Sequence, residues 1–407
     1  MDLNVNPNDR FAGQDRYVII LDFNAYMQRF HRVMADKGLT AQVEVDGQMR
    51  FIPTGAPKTV LQSLINLTRG GRCPLVVVSD LRIWSRKAYF KKGIETGQIT
   101  SKSGDYKGFR EPFNPGFKDS CDLTLNLLRN SGCWVLNKEN YEADDLMPEV
   151  IRVAKAQFPE LPIHIIANDL DLAPLVDEQV SLYRTPAKET YAEPGYMTLN
   201  KYEQITPRNY QEVMQRTSFG KSLKIPYNSL LLAKLFRGDK SDNIDILPKW
   251  TPTRYNKLVS QMLEDGIDLS LFSYHPWVVN YKYIPNGNVF PSLPPGYIKS
   301  QWKKVLEEPP EVQQMRDVLS KYIAPEEMTK EEKALKRAYI TEEEIDEVIY
   351  RYHGMNLNGA FLDLYPTERR APFTIKNRVQ IPSLDVPTLV KKASVYNMNF
   401  KYLKGDF

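Results

Sequence analysis

The chain is short of the residues on which disulfide, zinc and membrane chemistry depend. Its 407 residues include three cysteines (Cys73, Cys121, Cys133) and four histidines (His31, His164, His275, His353). The cysteines lack CxxC spacing and sit near apolar residues, the pattern of buried free thiols in a reducing compartment. With no HExxH and no Cys/His pairing, a zinc site is not expected. No apolar run is long enough to span a membrane, and the polar N-terminal stretch is not expected to act as a signal peptide. Charge of one sign is scarce too. A net charge of +4 among 26% charged residues does not by itself identify a nucleic-acid binder. A hydrophobic content of 42% suits a soluble protein, and the length allows more than one domain.

Carboxylates are what the chain does have, in five ordered clusters: Asp22 in YVIILDFNAY, Asp80 in PLVVVSD, Glu142-Ala-Asp144-Asp145, Asp169-Leu-Asp171 in HIIANDLDL, and Asp239-Lys-Ser-Asp242-Asn243. Asp22, Asp80 and the Asp169/Asp171 pair each close an apolar run that reads as a buried strand. Acids at the ends of parallel strands collect at one sheet edge, where open α/β folds place their sites. Two like charges about 4 Å apart repel by roughly 4 kcal/mol at an effective dielectric near 20, so a counter-charge is required. Oxygen-only donors suit a hard divalent cation, Mg²⁺ best of all. Asp169 and Asp171, two apart, point to one side if the strand end is extended. Glu142 and Asp145 share a face if they open a helix, although acids in a first turn also simply suit the helix dipole. Asp239 and Asp242 alone read as a turn or capping pattern. Together the clusters match what two-metal phosphodiester hydrolysis needs, with two ions activating a water and stabilising the leaving oxygen.

Strand patterns at Tyr17–Leu21, Leu75–Val78, CWVLN, Ile163–Ala167 and Val180–Tyr183 alternate with helical ones, predicting a mostly parallel sheet flanked by helices. A helix is expected from Pro57, with Thr54 as N-cap and Gly70 and Gly71 past its end, after an irregular polar excursion to Gly55. The expected organisation is a flexible lead-in over 1–15 and an α/β nuclease-type domain over 16–225 carrying a basic insertion at about 82–118. A helical segment over 226–270 and a Pro- and Tyr-rich extension over 271–407 follow, the latter with a charged helical stretch at Pro325–His353. The basic insertion interleaves Trp84, Arg86, Lys87, Tyr89, Lys91, Lys92, Tyr106, Lys107 and Arg110. Lysines and arginines attract phosphates and the aromatics can stack on unpaired bases, although a solvated basic loop is the plainer alternative.

YEADD, NDLDLAPLV and LFRGDKSDNI resemble the signature blocks of the 5′-nuclease superfamily, the flap endonucleases and the 5′-3′ exonucleases of phages and bacterial polymerases. LDFNAYMQR and VVVSD are similar to its first- and second-strand blocks, and WSRKAYFKK is most like the phage RNase H-type 5′-exonucleases. The resemblance runs from about Tyr17 to Ile244. It implies a PIN-like (Rossmann-like) fold with a helical arch and a largely helical C-terminal region, and two Mg²⁺ ions replaceable by Mn²⁺. Asp22, Asp80, Glu142 and Asp144 match positions around the first ion, and Asp145, Asp169, Asp171, Asp239 and Asp242 those around the second. Arg29 and a gateway lysine would neutralise the scissile phosphate, with Lys91 and Lys92 competing with Lys107 and Arg110 for that place. After Ile244 the family's Gly-rich helix-hairpin is replaced by DILPKWTPTRYNKL, where Lys249, Arg254 and Lys257 offer side-chain phosphate contacts instead. The implied activity is hydrolysis at the 5′ ends of flaps, nicks or RNA primers during DNA replication or repair. An inactive binding module of the same fold and a PIN-type ribonuclease stand as alternatives. DNA or an RNA–DNA hybrid is the implied partner of a cytoplasmic monomer in a bacterium or phage-infected cell. The tail VKKASVYNMNFKYLKGDF could dock a single-strand-binding protein or sliding clamp, or simply pack on the body.

Overall fold

The structure, a computed structural model, describes residues 16–34, 40–45, 48–81, 85–100, 106–108, 116–184, 202–283, 302–327, 337–365, 368–375 and 379–400. Its elements begin β1 (Val18–Asp22), α1 (Phe23–Met34), β2 (Thr40–Val45), β3 (Gln48–Pro53), α2 (Gly55–Leu67), β4 (Leu75–Val78), α3 (Ser85–Glu95) and α4 (Phe117–Arg129). Next come β5 (Trp134–Leu136), α5 (Ala143–Gln157), β6 (Ile163–Ile166), β7 (Val180–Arg184), β8 (Glu203–Ile205), α6 (Tyr210–Arg216) and α7 (Leu230–Arg237). The last are α8 (Pro252–Glu264), β9 (Val278–Tyr283), β10 (Trp302–Glu307), α9 (Pro310–Ser320), α10 (Glu342–Met355) and α11 (Val386–Ser394). They fall into two units: Met1–Trp84 with Lys107–Leu230 and Phe373–Phe407, and Ser85–Tyr106 with Leu231–Pro372.

The first unit is built on a sheet of order β5-β4-β1-β6-β7-β8, parallel except for the β7–β8 pair. VIIL of β1, LVVV of β4 and IHII of β6 are wholly buried, as strands covered on both faces must be. Ile19, Leu21, Leu75 and Val77 join Leu61 and Leu64 of α2 and Leu128 of α4 in one core, and α5 packs against β1, β4 and β6. The chain builds outward from β1 through β4 and β5, then returns to lay β6 on β1's other side. Where strand order reverses in this way, the loops at the carboxyl ends diverge and leave a crevice. Asp22 ends β1 and Asp169 follows β6, so both flank that reversal. The expected α/β fold is therefore present.

Local differences have simple causes. The excursion before Gly55 forms the β2–β3 antiparallel hairpin, because Thr-Ala-Gln-Val-Glu-Val and Gln-Met-Arg-Phe-Ile-Pro can pair in register. Thr54 occupies the N-cap of α2 but its side chain makes no capping bond. Gly71 has φ +91°, and a Cβ there would lie 2.3 Å from the Leu384 carbonyl oxygen of the returning C-terminal segment. That segment packs on the body: Val386, Leu389, Ala393 and Met398 are buried in the first unit's core. Within the basic and aromatic tail that begins at Val390, Ala393 and Met398 are buried in that core and Val390, Tyr396 and Phe400 pack against it, while 401–407 lie outside the described residues, as does the lead-in 1–15.

The second unit holds α3, most of α7, α8, the antiparallel β9–β10 hairpin, α9 and α10. The charged helix expected from Pro325 starts at Glu342, where Thr341 and Glu344 form a capping box; 328–336 lie outside the described residues. A strong cap satisfies orphan amides and so sets the helix start more sharply than propensity does. No described helix is long and apolar enough to cross a membrane.

Candidate metal centre

In the first unit the carboxyl ends of three neighbouring strands bring acids together. Asp22 is the last residue of β1, and Asp80 follows β4 after Ser79, whose hydroxyl donates to Asn24 Oδ1 at 2.7 Å. Asp80 Oδ1 accepts the Ala143 amide at 2.7 Å, tying this edge to the start of α5. Glu142 is the N-cap of α5 and forms a capping box with Asp145, whose Oδ2 accepts the Glu142 amide at 3.1 Å. Asp144 Oδ1 accepts the Asp145 amide at 2.8 Å. The helix-decoration reading and the ligand reading are therefore compatible: capping uses some carboxylate lone pairs and holds the side chains still. Glu142 and Asp145 are buried and Asp144 half-buried, and one oxygen from each lies within 4.8 Å of the others. This donor set is all oxygen, so it could hold a hard divalent cation.

Asp169 and Asp171 differ from expectation. The strand ends at Ile166, and the pair lies at a 3₁₀ turn over Leu170–Leu175, with Asp169 Oδ1 accepting the Asp171 amide at 2.9 Å. A carboxylate two residues before an amide closes an Asx turn more readily than it extends a strand. Asp169 nevertheless stays near the sheet-edge acids. Burial first, then the charges of Asp80 and Asp169, push the Asp22 carboxyl up to about 8, against an ordinary value of 3.8. Lys107 opposes that shift and donates its Nζ to Glu142 Oε1, from a left-handed backbone at φ 54°. In the absence of metal the edge thus carries excess negative charge that one lysine only partly offsets.

In the second unit, the loop after α7 closes on itself through Asp239 N to Ile244 O at 2.8 Å and Ile244 N to Asp239 O at 2.9 Å. Gly238, at φ +69°, makes that closure possible, since a Cβ would lie 2.3 Å from the Ile244 carbonyl oxygen. Asp239 and Asp242 are both buried. Asp239 meets Lys234 Nζ at 2.5 Å and Ser241 Oγ at 2.5 Å. Burial would raise its carboxyl, but the Lys234 charge and the hydrogen bonds from Lys234 and Ser241 outweigh it and hold the group below its ordinary value. Asp242 Oδ2 accepts the Tyr106 hydroxyl at 2.9 Å.

Residues 17–204 match the family model of the 5′-3′ exonuclease N-terminal resolvase-like domain. The likeness to that family holds over these residues, a little under half of the chain. Among solved structures, the D15 protein of bacteriophage T5 co-crystallised with metal ions is 13% identical, covering 61% of this chain and 76% of that one at TM-score 0.42. The T5 D15 flap endonuclease in a pseudo-enzyme-product complex with DNA and metal ions is 12% identical, covering 61% and 75% at TM-score 0.41. The catalytic core of Rad2 in complex with DNA substrate is 13% identical, covering 94% and 88% at TM-score 0.37. No curated protein sequence matches the chain.

The basic residues are placed less as expected than the acids. Trp84 and Arg110 lie outside the described residues. Arg86 is buried, and Tyr89 stacks on Tyr350 with centroids 4.4 Å apart and planes 13° apart. Tyr106 is buried and stacks on Phe90, and Lys92 Nζ donates to the Asp363 carbonyl at 2.7 Å. Lys87 and Lys91 are exposed, Lys91 lying 3.8 Å from Glu95. Arg254 pairs with Glu344 at 3.0 Å and lies over the Trp250 ring at 4.0 Å, so it serves packing; Lys249 and Lys257 are exposed. Arg29 sits on α1 with its guanidinium 5.7 Å from the Phe30 ring centroid and 5.9 Å from that of Tyr202. Sequence reasoning missed Lys234, which lies one helical turn before the GD pair, and the α10 residues Glu347, Tyr350 and Arg351. For Lys234 the i, i+5 spacing to Asp239 was a usable signal; for α10 no local signal exists.

Proposed function

We propose that the chain is a divalent-metal-dependent phosphodiester hydrolase, a 5′-3′ exonuclease or flap endonuclease acting at 5′ ends of flaps, nicks or RNA primers. The observation that carries this reading is the set of sheet-edge acids held against one another, with Asp22 pushed up to about 8 by burial and its neighbours. Such repulsion costs folding energy unless a cation relieves it. Mg²⁺ is the ion we assign, with Mn²⁺ able to substitute, since every donor is an oxygen. When bound, such ions lower the pKa of water and neutralise phosphate charge.

The chain's own residues prepare the site. Glu142, Asp144 and Asp145 offer oxygens on a helix start that capping bonds immobilise, and Asp80 fixes that start by accepting the Ala143 amide. Asp22, which burial and its neighbours favour in the neutral form, would hold such an ion as a carboxylate. Lys107, already beside Glu142, puts positive charge where a scissile phosphate would meet the acids, and so is the gateway lysine of choice over Lys92. Lys87, Lys91, Lys249 and Lys257 are exposed and are assigned to backbone phosphates. DNA with a free 5′ end is the partner we assign, in keeping with the 5′-3′ exonuclease domain that residues 17–204 match.

The test is cleavage of a 5′-labelled flap and of a nicked RNA-primed duplex, with Mg²⁺ or with chelator, for wild type and Asp169→Asn. Short 5′ products that need metal and vanish in the variant are expected. Tight, salt-sensitive binding without cleavage by wild type would leave an inactive binding module instead.

A further inference from the structure

Helix α10 carries an arginine with no exposure at all. The Arg351 side chain is fully buried, and its Nε and Nη2 donate to Glu347 Oε1 at 3.0 and 2.6 Å. Its Nη1 donates to two main-chain carbonyls, Asp245 at 2.6 Å and Leu235 at 3.3 Å. Leu235 lies in the last turn of α7 and Asp245 ends the loop that begins at Gly238, so one guanidinium spans both ends of the loop carrying Asp239 and Asp242. Glu347 in turn accepts the Thr100 hydroxyl at 2.7 Å.

The same stretch of α10 is seated without slack. Tyr350 Oη donates to the Tyr89 carbonyl at 2.9 Å, and Tyr89 Oη donates to the Tyr350 carbonyl at 3.1 Å. A Cβ on Gly93 would lie 2.4 Å from the Tyr350 ring, and one on Gly354 2.6 Å from the Phe90 ring. A buried guanidinium is costly unless its hydrogen bonds are spent well. Here Nη1 spends its bonds on the acid loop's two ends, while Nε and Nη2 are fixed by Glu347.

We propose that Arg351, oriented by Glu347, is a positioning residue that holds the Gly238–Asp245 loop in the conformation in which Asp239 and Asp242 serve as metal ligands. This rests on the metal-dependent reading above. Closing a loop with a planar, five-donor group restricts it more than a single-point cation could. The acids in the loop then pay less ordering entropy when they take up an ion.

The experiment compares wild type, Arg351→Lys and Glu347→Gln by hydrogen exchange of the metal-free protein and by Mn²⁺ titration followed by electron paramagnetic resonance. In Arg351→Lys the Asp239 and Ile244 amides should exchange faster while those of β1 and β4 are unchanged. Mn²⁺ affinity should fall about tenfold, the low end for groups that orient ligands, and saturating metal should restore cleavage. Glu347→Gln keeps the arginine and should give a smaller shift in the same direction. It also carries the test if Arg351→Lys does not fold. Lower thermal stability with unchanged Mn²⁺ affinity and unchanged exchange at Asp239 and Ile244 would overturn the proposal. Failure of the wild type to bind Mn²⁺ would overturn the metal reading itself, separately.

Discussion

Two groups of acids in this chain are treated in opposite ways. In the first unit Asp22, Asp80 and Asp169 face one another, and burial with mutual repulsion drives the Asp22 carboxyl up to about 8. In the second unit Lys234 and Ser241 bond Asp239, and Tyr106 bonds Asp242, so the Asp239 carboxyl is held low despite its burial. One set of acids stores an unmet electrostatic demand; the other is satisfied by its surroundings. The contrast teaches that acid clusters are not equivalent evidence for a metal. A frustrated cluster needs a cation from outside, whereas a satisfied one first needs its loop held in place.

The largest test of that contrast is Asp22→Asn. The stability that comes with a neutral carboxyl is complete below the ordinary value of 3.8 and is lost as pH rises toward about 8. The metal-free variant should therefore gain on wild type across that window, by at most roughly 5 kcal/mol at pH 8 and by little at pH 4. Denaturant melts at the two pH values measure it, and Mg²⁺ should shrink the gap by stabilising only the wild type. Cleavage should fall at least about a hundredfold. Equal gains at both pH values would mean that Asp22 is not frustrated.

Lys234→Met is the converse experiment, since it strands Asp239 as a buried charge. A loss of about 3–5 kcal/mol in urea unfolding is expected, partly recovered at low pH or with Mn²⁺. Gly93→Ala tests the second unit's packing without touching any charge. Its Cβ would lie 2.4 Å from the Tyr350 ring, and about 1–3 kcal/mol of destabilisation is expected in the same assay. The smallest effect on binding is expected from Lys107→Ala. Removing the lysine from Glu142 should tighten Mn²⁺ binding several-fold, roughly 1 kcal/mol, while slowing cleavage. Weaker Mn²⁺ binding would show that Lys107 organises the acids rather than competing for them.

Much of the fold was legible because its signals are local. VIILD, LVVV and IHII are β-branched runs that can only be strands buried on both faces, and the helical patterns between them require parallel pairing. The Asp169 pair was placed on a strand end because two-residue spacing fits a strand, whereas the Asx turn that forms there competes for the same spacing. The basic insertion misled more. Tyr89 and Tyr106 read as stacking platforms for bases, yet Tyr89 stacks on Tyr350 and Tyr106 on Phe90.

The sequence by itself determined where the acids go. A strand delivers its final residue to the sheet edge whatever happens elsewhere, so Asp22 and Asp80 are placed by a few neighbouring residues each. Tertiary structure alone decided which cations meet those acids and which aromatics remain for a ligand. Lys107 and Lys92 are both lysines in a basic stretch; one reaches Glu142 and the other is spent on the Asp363 carbonyl, 271 positions away. A side chain's chemistry is local, but its partner is chosen by packing between segments far apart in the chain, and no short window of sequence contains that choice.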